Sequence, residues 1–115
     1  MSTTTQMLKG LLEGSLLALI AKGETYGYEM TEKLQEHNFA VVSEGSIYPV
    51  LMRLQKNNFV TSVLRKSPNG PKRKYYSITD EGLEELERFK EHWERLSMGV
   101  FSLLKEGEDG NDDVV

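Results

Sequence analysis

The chain has 115 residues, 38 % of them apolar and 28 % charged, the composition of one ordinary globular domain rather than of a disordered segment. It has no cysteine and only two histidines, His37 and His92, in different segments, which excludes a disulfide scaffold, a thiolate metal site and a Cys nucleophile and speaks against a His-based metal or triad site. The formal net charge of −4, taken alone, speaks against a nucleic-acid partner.

Residues 6–22 carry apolar side chains at helical spacing and are predicted as one helix ending at Gly23. Leu8, Leu11, Leu12, Leu16, Leu19 and Ile20 form its stripe, and Met7 and Leu17 widen it, so the helix packs against more than one element. Gly10 and Gly14 lie four apart on one face, with Glu13 beside them. Each glycine costs roughly 1 kcal/mol relative to Ala inside a helix. Either something large approaches there or the glycines are merely tolerated. Thr25 caps a second predicted helix over about 26–37, with Tyr26, Met30 and Leu34 on one face. A short extended stretch, Phe39 to Val42, follows.

Ser43 or Ser46 caps a third predicted helix that runs to about Asn57. Pro49 is best placed in a first turn, which favours a start near 45–46. Ile47, Val50, Leu51 and Leu54 face inward. Gly45, Ser46, Pro49, Met52, Arg53 and Lys56 face outward with Tyr48 at the edge, and this face has no acid after Glu44. Two β-type runs follow, Phe59 to Lys66 and Arg73 to Thr79, joined by the turn sequence SPNGPK. They predict a hairpin with basic residues at both ends of its loop.

Thr79 caps a long helix over 80–106, about 40 Å in length. Leu86, Phe89, Trp93, Leu96, Val100 and Leu103 recur at spacings of three and four, a heptad seam. Met98, Phe101 and Leu104 add apolar surface. One copy of so small a chain does not cover such a helix, which predicts a homodimer. Residues 107–115 are acidic and contain glycine, and are predicted to be a disordered tail. No apolar run reaches membrane-spanning length and no basic residue precedes the first apolar run. The expectation is therefore a cytoplasmic protein with no signal peptide and no membrane partner.

Charge is unevenly spread. Residues 1–42 carry a net of −2, residues 43–78 a net of +6 and residues 79–115 a net of −8. The basic segment is the third helix plus the hairpin, and a local basic patch of this kind points to nucleic acid where the whole-chain charge does not. Three helices, a basic hairpin and a long terminal helix together read as a winged helix-turn-helix, mainly α with a two-stranded β-wing. The domain boundaries are 6–79 for the winged helix, 80–106 for the dimerisation helix and 107–115 for the tail. Ser43, Ser46 and Tyr48 at the start of helix three, Arg53, and Lys66, Lys72, Arg73 and Lys74 of the wing are the expected contacts to double-stranded DNA. A dimer presents two such surfaces, so the expected operator is an inverted repeat.

The segments YGYEM at 26–30, EGSIYPVLMRLQKNNFV at 44–60, GPKRKYYSITDEG at 70–82 and EHWERL at 91–96 resemble the PadR-type transcriptional regulators. They are most similar to the short subfamily with a single C-terminal helix. The resemblance implies a winged-helix dimer that represses transcription and that, in several relatives, releases DNA on binding a small aromatic ligand. EHWERL also resembles the multidrug-binding branch, in which the matching tryptophan stacks on planar compounds at the dimer centre. On that resemblance Trp93, Phe89, Met7, Gly10, Glu13 and Gly14 are the expected ligand-binding residues. Trp93 either flanks a gap that takes a planar aromatic guest or fills the space that the glycines leave. No metal, cofactor or enzymatic activity is expected, because no convergent Cys/His/Ser set, phosphate loop or metal spacing occurs. The alternative is a winged-helix module that binds proteins through its acidic segment and never touches DNA.

Overall fold

The computed structural model describes residues 7–8 and 10–113, with the side chains of 108–113 left aside. Its elements are α1 (Leu12–Ala21), β1 (Thr25–Tyr26), α2 (Gly27–Glu36), α3 (Glu44–Lys56), β2 (Val60–Lys66), β3 (Lys72–Ile78) and α4 (Asp80–Asp113). The order is that of a winged helix followed by a long helix, with one apolar core under all of it. Leu16, Leu17 and Ile20 of α1, Met30 and Leu34 of α2, and Ile47, Leu51 and Leu54 of α3 are buried together with Val60, Tyr76 and Leu86.

The first predicted helix is not continuous. Met7 and Leu8 are helical, Gly10 and Leu11 form a turn closed by the bond from the Leu11 N–H to the Leu8 carbonyl, and α1 begins at Leu12. Gly10 therefore stands outside α1, while Gly14 lies in it. Gln6 and Lys9, also assigned to that helix, lie outside the described residues. The helix ends as expected: Gly23 has φ +151°, a region that L side chains rarely adopt.

Thr25 is not a helix cap. Thr25 and Tyr26 form β1, which pairs with Tyr76 and Tyr75 of β3, so α2 starts one residue later than predicted. The sheet consequently has three antiparallel strands in the order β1-β3-β2, where the sequence predicted two. The Thr25 hydroxyl is used instead on the Glu29 carboxylate. Residues 39–42 form a turn, closed from the Val42 N–H to the Phe39 carbonyl, rather than an extended stretch.

Helix α3 starts at Glu44, earlier than Pro49 suggested, because Ser43 and Ser46 form a complete capping box. Pro49 is then the sixth helical residue. Its missing N–H leaves the Gly45 carbonyl without its helical donor, at a place where both residues are exposed. The β2–β3 register runs from Val60 opposite Ile78 to Lys66 opposite Lys72.

At the base of the wing, Thr79 joins three elements. Its hydroxyl accepts from the Gly82 N–H at 2.9 Å and donates to the Asn58 carbonyl at 2.6 Å, capping α4 and fastening it to the α3–β2 turn. Helix α4 extends to Asp113, past the boundary expected at 106, so 107–113 of the predicted disordered tail is helical; no proline interrupts this stretch, and 114–115 lie outside the described residues. Leu86 is only 5 % exposed and lies in the chain's own core. The heptad stripe is thus intramolecular in its first turns and runs off the domain from Trp93 onward, where Trp93 is 50 % and Leu96 67 % exposed. Among the described residues no helix is long and apolar enough to cross a membrane.

Candidate nucleic-acid interface

Helix α3 turns Ile47, Val50, Leu51 and Leu54 into the core, which fixes what it turns outward. Gly45, Pro49, Met52 and Lys56 follow one another at spacings of four, three and four, and all are exposed. They form the ridge opposite the core. Ser46 and Arg53 flank it on the side of α1, sharing a groove with Leu8 and Leu12. Tyr48 flanks it on the side of the wing.

The hydroxyls expected at the helix start are partly spent. Ser43 Oγ accepts from the Ser46 N–H at 3.3 Å, Ser46 Oγ accepts from the Ser43 N–H at 3.1 Å, and the two oxygens lie 2.9 Å apart. Their first role is to cap α3. Tyr48 Oη donates to Glu44 at 3.5 Å and sits over Gly27, where a Cβ would be in close contact with it. Burial pushes the Tyr76 phenol above its usual range, with Tyr48 adding to the effect, so Tyr76 stays protonated.

The wing side is basic. A cleft of about 600 Å³ between the starts of α2 and α3 and the hairpin is lined by the tyrosines Tyr26, Tyr28 and Tyr48 and the cations Lys72, Arg73 and Lys74, with Glu44 its one acid. Arg73 lies over the Tyr26 ring at 4.5 Å, Arg65 over Tyr75 at 5.5 Å, and the two rings meet edge-on at 5.4 Å. Stacking of this kind holds a guanidinium in place while leaving its N–H groups free. Arg65 is paired with Glu24, and Arg53 lies 3.8 Å from Glu13. Lys56, Lys66, Lys72, Arg73 and Lys74 take part in none of the ion pairs found among the described residues.

Of the residues expected to contact DNA, Tyr48, Lys72, Arg73 and Lys74 line one cleft. Ser43 and Ser46 lie at the start of α3, Arg53 on its α1-facing side and Lys66 at the end of β2. Tyr26 and Tyr28 line the same cleft without having been expected there, and Arg65 lies over Tyr75. The alternation of Arg65, Arg73 and Tyr75 on facing strands is visible in the sequence only once β1 is known to pair there.

The expected ligand residues are divided. A Cβ added at Gly14 would fall closer than 3.0 Å to Phe89 Cγ, Cδ1 and Cδ2, so the large group that approaches Gly14 is the Phe89 ring of the same chain. Gly10 has open space around it. Glu13 turns toward Arg53, and Met7 and Trp93 are exposed. Both histidines are exposed. Among the described residues no group of three or more His, Cys, Asp or Glu could hold a metal ion.

Residues 16–88 match the transcriptional regulator PadR-like family. The chain belongs to that family. Its members are transcriptional regulators and not enzymes. A PadR-like transcriptional regulator from Bacillus cereus is 56 % identical, with a TM-score of 0.78, over 86 % of this chain and 96 % of the other. The Bacillus subtilis PadR crystallised with operator DNA is 31 % identical, with a TM-score of 0.63, over 69 % of this chain and 46 % of the other. An uncharacterised protein of Lysinibacillus sphaericus is 29 % identical over 105 residues, 90 % of this chain and 95 % of that one.

Proposed function

We propose that this PadR-like chain binds double-stranded DNA as a two-fold dimer on an inverted repeat and represses transcription there. The observation that carries the reading is the set of unpaired cations on the wing, Lys66, Lys72, Arg73 and Lys74, beside the outward ridge of α3. The Bacillus subtilis relative crystallised with operator DNA shares this fold. Helix α3 enters the major groove and the wing lies along the adjacent backbone. The exposed stripe of α4 from Trp93 through Leu103 is covered by the second copy. Two α3 helices related by a two-fold axis then meet half-sites about one helical turn apart.

Trp93, half exposed one turn beyond the Phe89–Gly14 contact, supports release by a planar aromatic compound. Two indoles near a dimer axis would sandwich a flat guest. The DNA reading is tested by titrating duplex DNA from upstream of the gene at several salt concentrations. Replacing Lys72, Arg73 and Lys74 with Ala should weaken binding to all sequences. It should also flatten the log–log salt dependence by about 0.9 for each phosphate that is no longer neutralised. A wild-type slope in the triple variant would remove the wing from the interface, and no DNA binding at all would favour a protein-binding module.

A further inference from the structure

The face of α3 opposite its buried residues is apolar over about two turns, with Pro49 also bordering the groove that holds Leu8 and Leu12. Gly45, Pro49 and Met52 precede Lys56 along the ridge, and Met52 is 68 % exposed. An exposed methionine and proline beside basic side chains offer apolar surface to the partner that those side chains bind. The side chains of α3 suited to paired hydrogen bonds to a base are drawn to its edges. Arg53 turns toward Glu13 of α1, and Gln55 accepts from the Ser62 hydroxyl of β2 at 3.1 Å. Ser46 is held in the capping box.

In the major groove of B-DNA one group is apolar, the 5-methyl of thymine. We infer that Pro49 and Met52 read thymine methyls, so that operator choice rests on methyl contacts at the centre of each half-site. Polar contacts from Tyr48 and the wing then hold the register. This inference rests on the DNA-binding reading above and deepens it. Charge favours DNA as the occupant of the ridge: Lys56 continues it, and Lys72, Arg73 and Lys74 flank it beyond Tyr48, against the one acid Glu44, which accepts from Tyr48. Methionine suits the task, since its unbranched, polarisable side chain adapts to the position of a methyl group.

The test separates the two levels. Selection from random duplexes defines the half-site, and each thymine in it is then replaced by deoxyuridine, which keeps the pairing edge and O4 and lacks only the methyl. Fluorescence anisotropy at one salt concentration should show at least one position per half-site at which this lowers wild-type affinity about fourfold, as expected for one buried methyl. Substitution in both half-sites should lower it about fifteenfold. Met52→Ala and Pro49→Ala should each bind the selected sequence more weakly, and one or both should bind the thymine and uracil duplexes equally at that position. Both residues are exposed, so folding should survive, and far-UV circular dichroism checks it. Tight wild-type binding that is indifferent to uracil in both half-sites overturns the inference while leaving DNA binding intact. So does thymine preference that persists undiminished in both variants. Failure to select any duplex overturns the DNA-binding reading itself, and this inference with it.

Discussion

Gly14→Ala is the sharpest probe of how the long helix is held. Alanine is the better helix former by about 1 kcal/mol, so the substitution should stabilise the chain if α1 were free on that face. It is not free: the new Cβ would lie closer than 3.0 Å to Cγ, Cδ1 and Cδ2 of Phe89. Because Cγ sits one bond from the Phe89 Cβ, the ring cannot swing aside without a new χ1 or a shift of α4. Overpacking of this kind costs about 1–3 kcal/mol, at its upper end here since three ring atoms are involved. The net loss should be about 1–2 kcal/mol. Phe89→Ala alone should cost about 2–3 kcal/mol, below the range for a fully buried phenylalanine because the ring is half-buried. With Phe89 already removed, Gly14→Ala should stabilise by up to about 1 kcal/mol. The two substitutions are therefore expected to be non-additive by about 2–3 kcal/mol. Urea denaturation followed by circular dichroism, at one fixed protein concentration, measures all four corners of the cycle. Additive single effects, or a gain from Gly14→Ala in the wild-type background, would refute the packing described here.

Gly82→Ala is expected to cost about 3 kcal/mol, since its Cβ would meet the Phe59 backbone and Ile78 Cγ1 at 2.7 Å, and backbone yields less readily than a side chain; thermal denaturation reads the loss. Leu96→Asp places a charge in the stripe proposed to pair with a second copy, and sedimentation at micromolar concentration should find monomer or aggregate where the wild type is a dimer. A stable wild-type monomer would remove the dimer. Trp93 is the only tryptophan, so planar aromatic compounds bound there should quench its emission saturably, and Trp93→Ala should abolish binding without disturbing assembly.

Where a single element dictates its own pattern, the sequence was readable. The inward quartet Ile47, Val50, Leu51 and Leu54 is spaced for a helix and is buried. The turn residues between β2 and β3 mark the hairpin, whose strands differ from the prediction by about one residue at their ends. What escaped depends in part on partners distant in sequence and in part on local hydrogen bonds that apolar spacing does not record. Two residues, Thr25 and Tyr26, are too few to show strand alternation, and only pairing with Tyr75 and Tyr76 makes them a strand. The turn at Gly10–Leu11 breaks an apolar run whose spacing continues through it. Pro49 pointed to a late helix start because its cost was weighed without the Ser43–Ser46 capping box. The heptad repeat gave one seam, yet Leu86 and Phe89 are satisfied by the chain's own α1 and core while Leu96 to Leu103 are not. Periodicity records which face is apolar and carries no label for what covers it.

The same division explains how a chain of net charge −4 supports a basic surface. Arg65 and Arg73 stand directly opposite each other on β2 and β3, an arrangement that repels. Glu24 pairs with Arg65, and the ring faces of Tyr75 and Tyr26 receive the two guanidinium groups. The acid comes from the loop between α1 and β1 rather than from β2 or β3, so the two facing strands keep an all-basic pair at this level. Glu13 stands in the same relation to Arg53 on α3, at a distance and exposure where such a pair contributes at most about 1 kcal/mol. Two cations of the basic segment are thus drawn toward acids of the α1 region, while Lys56, Lys66, Lys72, Arg73 and Lys74 remain for an anionic partner. The remaining excess of acid lies in residues 79–115, where Glu85 pairs with Arg88 and Glu87 with Lys90 on α4. Total charge averages over these separate faces, and the partner meets only one of them.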